Sequence, residues 1–168
     1  MTDRDNSGIR RNEGAAALLV EQYQQRTFVL VLYLIGDDRD KAYDITASSF
    51  VEALVSTPSL EDKGSFLISL VRAAIEKSRA AKIIPFSEKT DFADFPSEKR
   101  NSLLMIKKAL QALTFNEKAL LLLRDQLHLS YREISAIFKI PESDSRIQTV
   151  RARIHIREKV EEVLSSGE

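Results

Sequence analysis

The sequence predicts an all-α protein of two small helical domains joined by a linker, the second domain a helix-turn-helix. Three observations carry this prediction. Only five glycines and four prolines punctuate 168 residues, and they fall where helices should end. Apolar residues recur at helical rather than alternating spacing, as in Phe66, Leu67, Leu70, Val71, Ala74 and Ile75. Two Ser/Thr-x-x-Glu signatures, Thr114–Glu117 and Ser130–Glu133, stand just ahead of apolar runs, where capping boxes open helices.

A first helix is expected over about 12–35, closed by Gly36, after a polar, mixed-charge N-terminus (1–12) that reads as flexible rather than as a signal peptide. A second runs from about Arg39 to Leu54, before the Ser56-Thr57-Pro58-Ser59 break. A third covers about Leu60 to Ile83, with a bend at Gly64 as an option. Residues 13–83 therefore form the first domain. Residues 84–96 hold Pro85, Pro96 and three phenylalanines among acids without any period, and read as a linker. The second domain, 97–168, opens at Ser97 as N-cap with a helix carrying Leu103, Leu104, Ile106, Leu110 and Leu113. Helices over Phe115–Leu127, Tyr131–Phe138 and Ser143–Leu164 follow.

Composition removes several function classes. With no cysteine there is neither a disulfide nor a thiol-ligated metal. The apolar runs around Phe28–Ile35 and Ala119–Leu123 are too short to span a bilayer. His128 and His155 are isolated from each other and from other ligands, so no metal site is expected. There is no Gly-rich phosphate loop and no serine with a histidine base nearby, so neither a catalytic residue, a cofactor nor a small-molecule substrate is expected. The location that fits is the cytoplasm. Formal net charge is zero, so affinity for a polyanion would have to come from local patches.

One such patch exists. The short amphipathic Leu129–Phe138 segment, the turn at Ile140-Pro141 and the arginine-rich segment after it form a helix-turn-helix pattern. Ile134, Ile137, Phe138 and Ile140 would pack on the Leu120–Leu123 helix. Arg146, Gln148, Arg151 and Arg153 are the candidate DNA-binding residues, with phosphate contacts supplying affinity and side chains near the helix start reading bases. The alternative is a plain packing unit whose arginines form a solvated face.

Ala109–Thr114, Ala119–Arg124, Leu129–Pro141 and Arg151-Ala152-Arg153, in this order and spacing, resemble the C-terminal domain of RNA polymerase sigma factors of the extracytoplasmic-function type. Tyr23, Arg26, Gly36-Asp37, Ala42, Asp44-Ile45 and Phe50 are similar to that family's polymerase-docking helix, and Phe66 to Lys82 to its promoter-melting segment. The resemblance covers about residues 15–164. It implies a transcription initiation protein without catalysis of its own, which binds core RNA polymerase through Asp44, Ile45 and Phe50. It further implies contacts to promoter DNA through Arg72, Lys77 and Arg79 as well as the helix after Pro141. The linker acids Glu88, Asp91, Asp94 and Glu98 would then thread a basic channel of the polymerase, or else form a solvated spacer.

The sequence departs from that pattern at working positions. Ala47 replaces the glutamine usual at the clamp contact, Ala73 and Lys77 replace the asparagine and aspartate of the melting helix, and Phe66 replaces a tryptophan. In the family register Ser145, Thr149, Ala152 and Ile156 should face inward, although the first two are polar. Ile147, Val150 and Ile154 would then form an apolar stripe facing outward. Glu142 and Asp144 at the helix start would favour the helix dipole but repel phosphate within a screening length of about 8 Å. Two arrangements are open. Either the helix rotates to bury Ile147, Val150 and Ile154, or these residues form a partner surface for another subunit, an anti-sigma protein or a second copy of the chain; the alternative function is then a sigma-like interaction module that no longer reads promoters.

Overall fold

The computed structural model describes residues 3–85 and 97–165, with side chains described for 13–85 and 105–165. Seven α-helices make up the described chain: α1 (Asp3–Ile35), α2 (Arg39–Ser56), α3 (Lys63–Ala80), α4 (Ser97–Ala112), α5 (Phe115–Leu121), α6 (Tyr131–Phe138) and α7 (Glu142–Ser165). One wide turn, Leu122–Gln126, continues α5. Among the described residues there is no β-strand, only an isolated parallel bridge between Gly36 and Ile84.

The local chemistry explains most boundaries. Gly36 ends α1 at φ +92°, and a Cβ there would stand 1.6 Å from the Ile84 carbonyl oxygen. Glycine is thus required twice, by backbone angle and by close approach. The Ile84 amide donates to the Ile35 carbonyl (2.8 Å) and the Asp37 amide to that of Ile84 (3.0 Å), which pins the chain after α3 against the end of α1. Asp38 caps α2 and Asp62 caps α3. The third helix therefore starts after Asp62 rather than near Leu60, and Gly64 sits in its first turn instead of at a bend. The Thr114–Glu117 and Ser130–Glu133 capping boxes are both formed. The helix expected to reach Leu127 widens at Leu122, where the Leu127 amide donates five residues back to the Leu122 carbonyl. His128, exposed and at φ 58°, then turns the chain.

α1 is described from Asp3 rather than from about residue 12, and α4 begins at Ser97 as expected. The Ser97 cap, Leu103 and Leu104, and the linker from Phe86 to Pro96 lie outside the described side chains or residues. Ile106, expected on the buried stripe of α4, is 47% exposed, whereas Leu110 and Leu113 are buried.

Packing does not divide where the linker divides the sequence. One apolar core holds Leu30, Val31 and Leu34 of α1, Val71, Ala74 and Ile75 of α3, Leu120 of α5 with Leu123, and Ile134 and Ile137 of α6. A smaller cluster of Leu19, Phe50, Ala53, Phe66 and Leu70 fills the far end of α1–α3, with Tyr23 and Phe50 each placing a tilted ring 6.2 Å from that of Phe66. Phe66 is fully buried, so its ring serves packing.

Candidate nucleic-acid interface

α6, the turn and α7 form the expected helix-turn-helix. The Ser130 hydroxyl accepts from the Glu133 amide and the Glu133 carboxylate accepts from the Ser130 amide (2.7 Å), which fixes the start of α6. Lys139 ends it in the left-handed conformation (φ 55°). The Ser135 hydroxyl donates to the Ile140 carbonyl (2.5 Å), and Pro141 leads into α7. Ile134 and Ile137 are buried as expected, while Phe138 and Ile140 are half-buried.

The orientation of α7 decides between the two arrangements left open by the sequence. Ser145, Thr149 and Ala152 are fully buried, and Ile147, Val150 and Ile154 are 49%, 45% and 52% exposed. The helix is not rotated, and the apolar stripe faces out. The inward polar groups are not orphaned. The Ser145 hydroxyl lies 3.1 Å from the Tyr131 carbonyl and 2.8 Å from that of Glu142, and the Thr149 hydroxyl donates to the Ser145 carbonyl (2.7 Å). Small side chains with satisfied hydroxyls let α7 lie close on α6, a packing that larger isoleucines would hold apart.

The arginines of this half are placed differently from one another. Arg151 is exposed and makes no hydrogen bond or ion pair among the described residues. Arg146 lies over the Tyr131 ring (5.2 Å), which Arg124 also stacks against (4.7 Å). Arg153 is paired with Asp125, which raises the guanidinium pKa further through that hydrogen bond. Gln148 is exposed. Tyr131 was not singled out from the sequence, although its ring meets two arginines and its carbonyl faces Ser145. The only legible signal was its position directly after the Ser130 cap.

The cations of α3 do not gather with those of α7. Arg72 donates to the Ala136 carbonyl (2.7 Å), one of the carbonyls left without an intrahelical partner at the end of α6. Lys77 is bonded to Glu52 (2.6 Å). Arg79 donates to Asn116 (2.7 Å) and lies over the Phe115 ring (4.7 Å). Ala73 is buried. On α2, Ile45 and Phe50 are core residues, 5% and 6% exposed, whereas Asp44 and Ala47 are at the surface. The exposed apolar residues of that helix are Tyr43, Val51 and Val55. Next to Tyr43 and Ala47, a groove of about 370 Å³ between α1 and α2 is lined by Val20, Gln24 and Phe28. Sequence reasoning passed over Tyr43, Val51 and Val55, although their spacings of eight and four put them on one side of the helix.

Residues 103–156 match the family model of sigma-70, region 4. The matched stretch runs from within α4 through most of α7, and so contains α6, the turn and the first two thirds or so of α7. No curated protein matches this chain. The matched stretch includes the inward Ser145, Thr149 and Ala152, the positions that the sequence resemblance expects to face the core. Among the described residues, no helix is long and apolar enough to cross a membrane.

Proposed function

We propose that this chain is a sigma-factor-like transcription initiation protein of the extracytoplasmic-function type, which binds core RNA polymerase and directs it to promoter DNA in the cytoplasm. The observation that carries the reading is the helix-turn-helix inside the sigma-70 region 4 match, with α7 presenting Arg146, Gln148 and Arg151 to solvent. Phosphate neutralisation by Arg146, Arg151 and Arg157 would supply affinity, and the N-terminal turns of α7 would read base edges. Residues 13–83 would form the polymerase-docking part. Of its candidate contacts Asp44 is exposed, and Tyr43, Ala47 and Val51 extend the same helix surface, while Ile45 and Phe50 would hold that surface from behind. An anti-sigma protein is the proposed regulator.

The test is transcription from a genomic fragment library by core polymerase with and without the protein, mapping start sites. Starts that appear only with the protein and share an upstream sequence support the reading. Their absence, with a core that responds to another sigma factor, overturns it.

A second reading has its own support. Arg72 and Lys77 are engaged within the molecule, and Ala73 is buried. Together they favour a sigma-like interaction module that has lost promoter melting and meets a regulator through Ile147, Val150 and Ile154. Salt separates the two. DNA binding weakens steeply with ionic strength through counterion release, and an apolar interface does not.

A further inference from the structure

We infer that Ile147, Val150 and Ile154 are specificity-determining residues that read thymine methyl groups in the major groove, so that the preferred DNA site is set by apolar contacts rather than by bidentate hydrogen bonds. The inference rests on the DNA-binding reading above.

Four observations lead to it. On a helix of 3.6 residues per turn, the stripe lies opposite the buried Ser145, Thr149 and Ala152, and so points straight away from the body of the protein. It belongs to the second helix of the helix-turn-helix, the one such motifs insert in the major groove. Ile147 to Ile154 spans about 10 Å at 1.5 Å per residue, within a groove about 12 Å wide. Arginines flank it, with Arg151 on the same face and Arg146 and Arg157 exposed beside it. Between Ser130 and Lys159 there are seven Lys or Arg against four Asp or Glu, in a chain whose net charge is zero. A narrow apolar ridge between cations matches a groove floor between two phosphate walls. The only apolar group that base edges offer there is the thymine C5-methyl.

The polar alternative is weak on this face. Gln148, able to bond adenine through two hydrogen bonds, is exposed but lies round the helix from the stripe, and Asp144 adds a carboxylate at the helix start. The side chains that point furthest from the core cannot hydrogen-bond at all. Arg151, beside the stripe, is left to a phosphate or a guanine at its edge, and discrimination along the stripe itself comes from burying methyl groups and from leaving hydrophilic base edges uncovered where no methyl stands.

The experiment uses the full chain. A randomised duplex pool is selected for binding, and each thymine of the enriched site is replaced in turn by deoxyuridine, which removes only the methyl. Affinity should fall about fourfold at each of two or three positions, the effect of one buried methyl-sized group. Replacement elsewhere in the site should have no effect. Ile147→Ala should make one of the sensitive positions insensitive while leaving the others, which a merely structural role would not do. An enriched site indifferent to every deoxyuridine overturns the methyl reading and leaves DNA binding standing. A pool that enriches no site overturns the DNA-binding reading, and the inference with it.

Discussion

α3 and α7 are both cation-bearing helices, and the protein uses them in opposite ways. On α3 the cations turn to the protein's own groups: Arg72 to a carbonyl of α6, Lys77 to Glu52 and Arg79 to Asn116 and Phe115. On α7 the small polar residues turn inward and Arg153 pairs with Asp125, while Ile147, Val150 and Ile154 stay outside together with Arg151 and Arg157. The difference shows why charge alone does not locate a binding face. A cation beside an orphan carbonyl or a carboxylate serves the fold first. Only one whose neighbours are already satisfied is left for an external anion.

The sharpest way to break the comparison is at the core that α3 shares with α6. Ile134 is fully buried among residues of both halves. Ile134→Ala should cost about 2–5 kcal/mol, and chemical denaturation should show α1–α3 and α4–α7 melting together. Two separate transitions, with only the second shifted, would show that the halves fold independently and that α3 is no brace.

Next in size is the arginine contrast itself. Arg72→Ala leaves the Ala136 carbonyl without its charged donor, and should destabilise by about 1.5 kcal/mol, near the low end for such a bond because the site is only partly buried. Arg151→Ala should change stability by less than about 0.5 kcal/mol but lower the salt slope of DNA binding by about one. Urea melts and salt titrations on both variants measure this, and equal effects on stability would dissolve the distinction between the two helices.

What could be read in advance follows from how local each determinant is. The capping boxes at Thr114 and Ser130 are four-residue patterns whose partners are themselves in the sequence, and both are formed. The end of α1 was legible because Gly36 alone satisfies its backbone angle, although its approach to Ile84, 48 positions on, was not. The register of α7 escaped hydropathy, since its inward positions are polar and its outward ones apolar. What holds it is a bond from Ser145 to the backbone of Tyr131, invisible in composition. For the same reason Arg72 looked like a DNA contact, because its partner lies 64 residues away. Ile45 and Phe50, expected as polymerase contacts, stand on the buried side of α2.

A smaller effect tests that inverted packing directly. Ser145→Ala should destabilise by about 1 kcal/mol through loss of the hydrogen bond from α7 to α6. Ile147→Ser with Ile154→Ser should stay within about 0.5 kcal/mol per site, as half-exposed side chains do. A greater loss from the isoleucines than from the serine would mean that α7 turns its stripe inward in solution.

The smallest effect is a pH dependence at the joint between α5 and α7. His155 Nδ1 lies 2.8 Å from Glu117, the residue that also completes the Thr114 capping box. Burial pushes the Glu117 pKa up, but hydrogen bonds from His155 and Thr114 outweigh it and hold the carboxyl below its ordinary value. A carboxyl whose pKa is depressed on folding adds stability that is present above its unfolded value of 4.5 and is lost as pH falls through the folded one. Stability should therefore decline below about pH 4.5, and Glu117→Gln should flatten part of that decline while lowering stability at neutral pH. Among the described residues α3 has no His–carboxylate pair, and its one depressed carboxyl is the Asp62 cap, so Lys77→Met, which breaks the exposed contact with Glu52, should leave the acid profile almost unchanged. If both variants alter it equally, the His155–Glu117 pair has no special hold on α7, and the orientation of the helix rests on Ser145 and its neighbours alone.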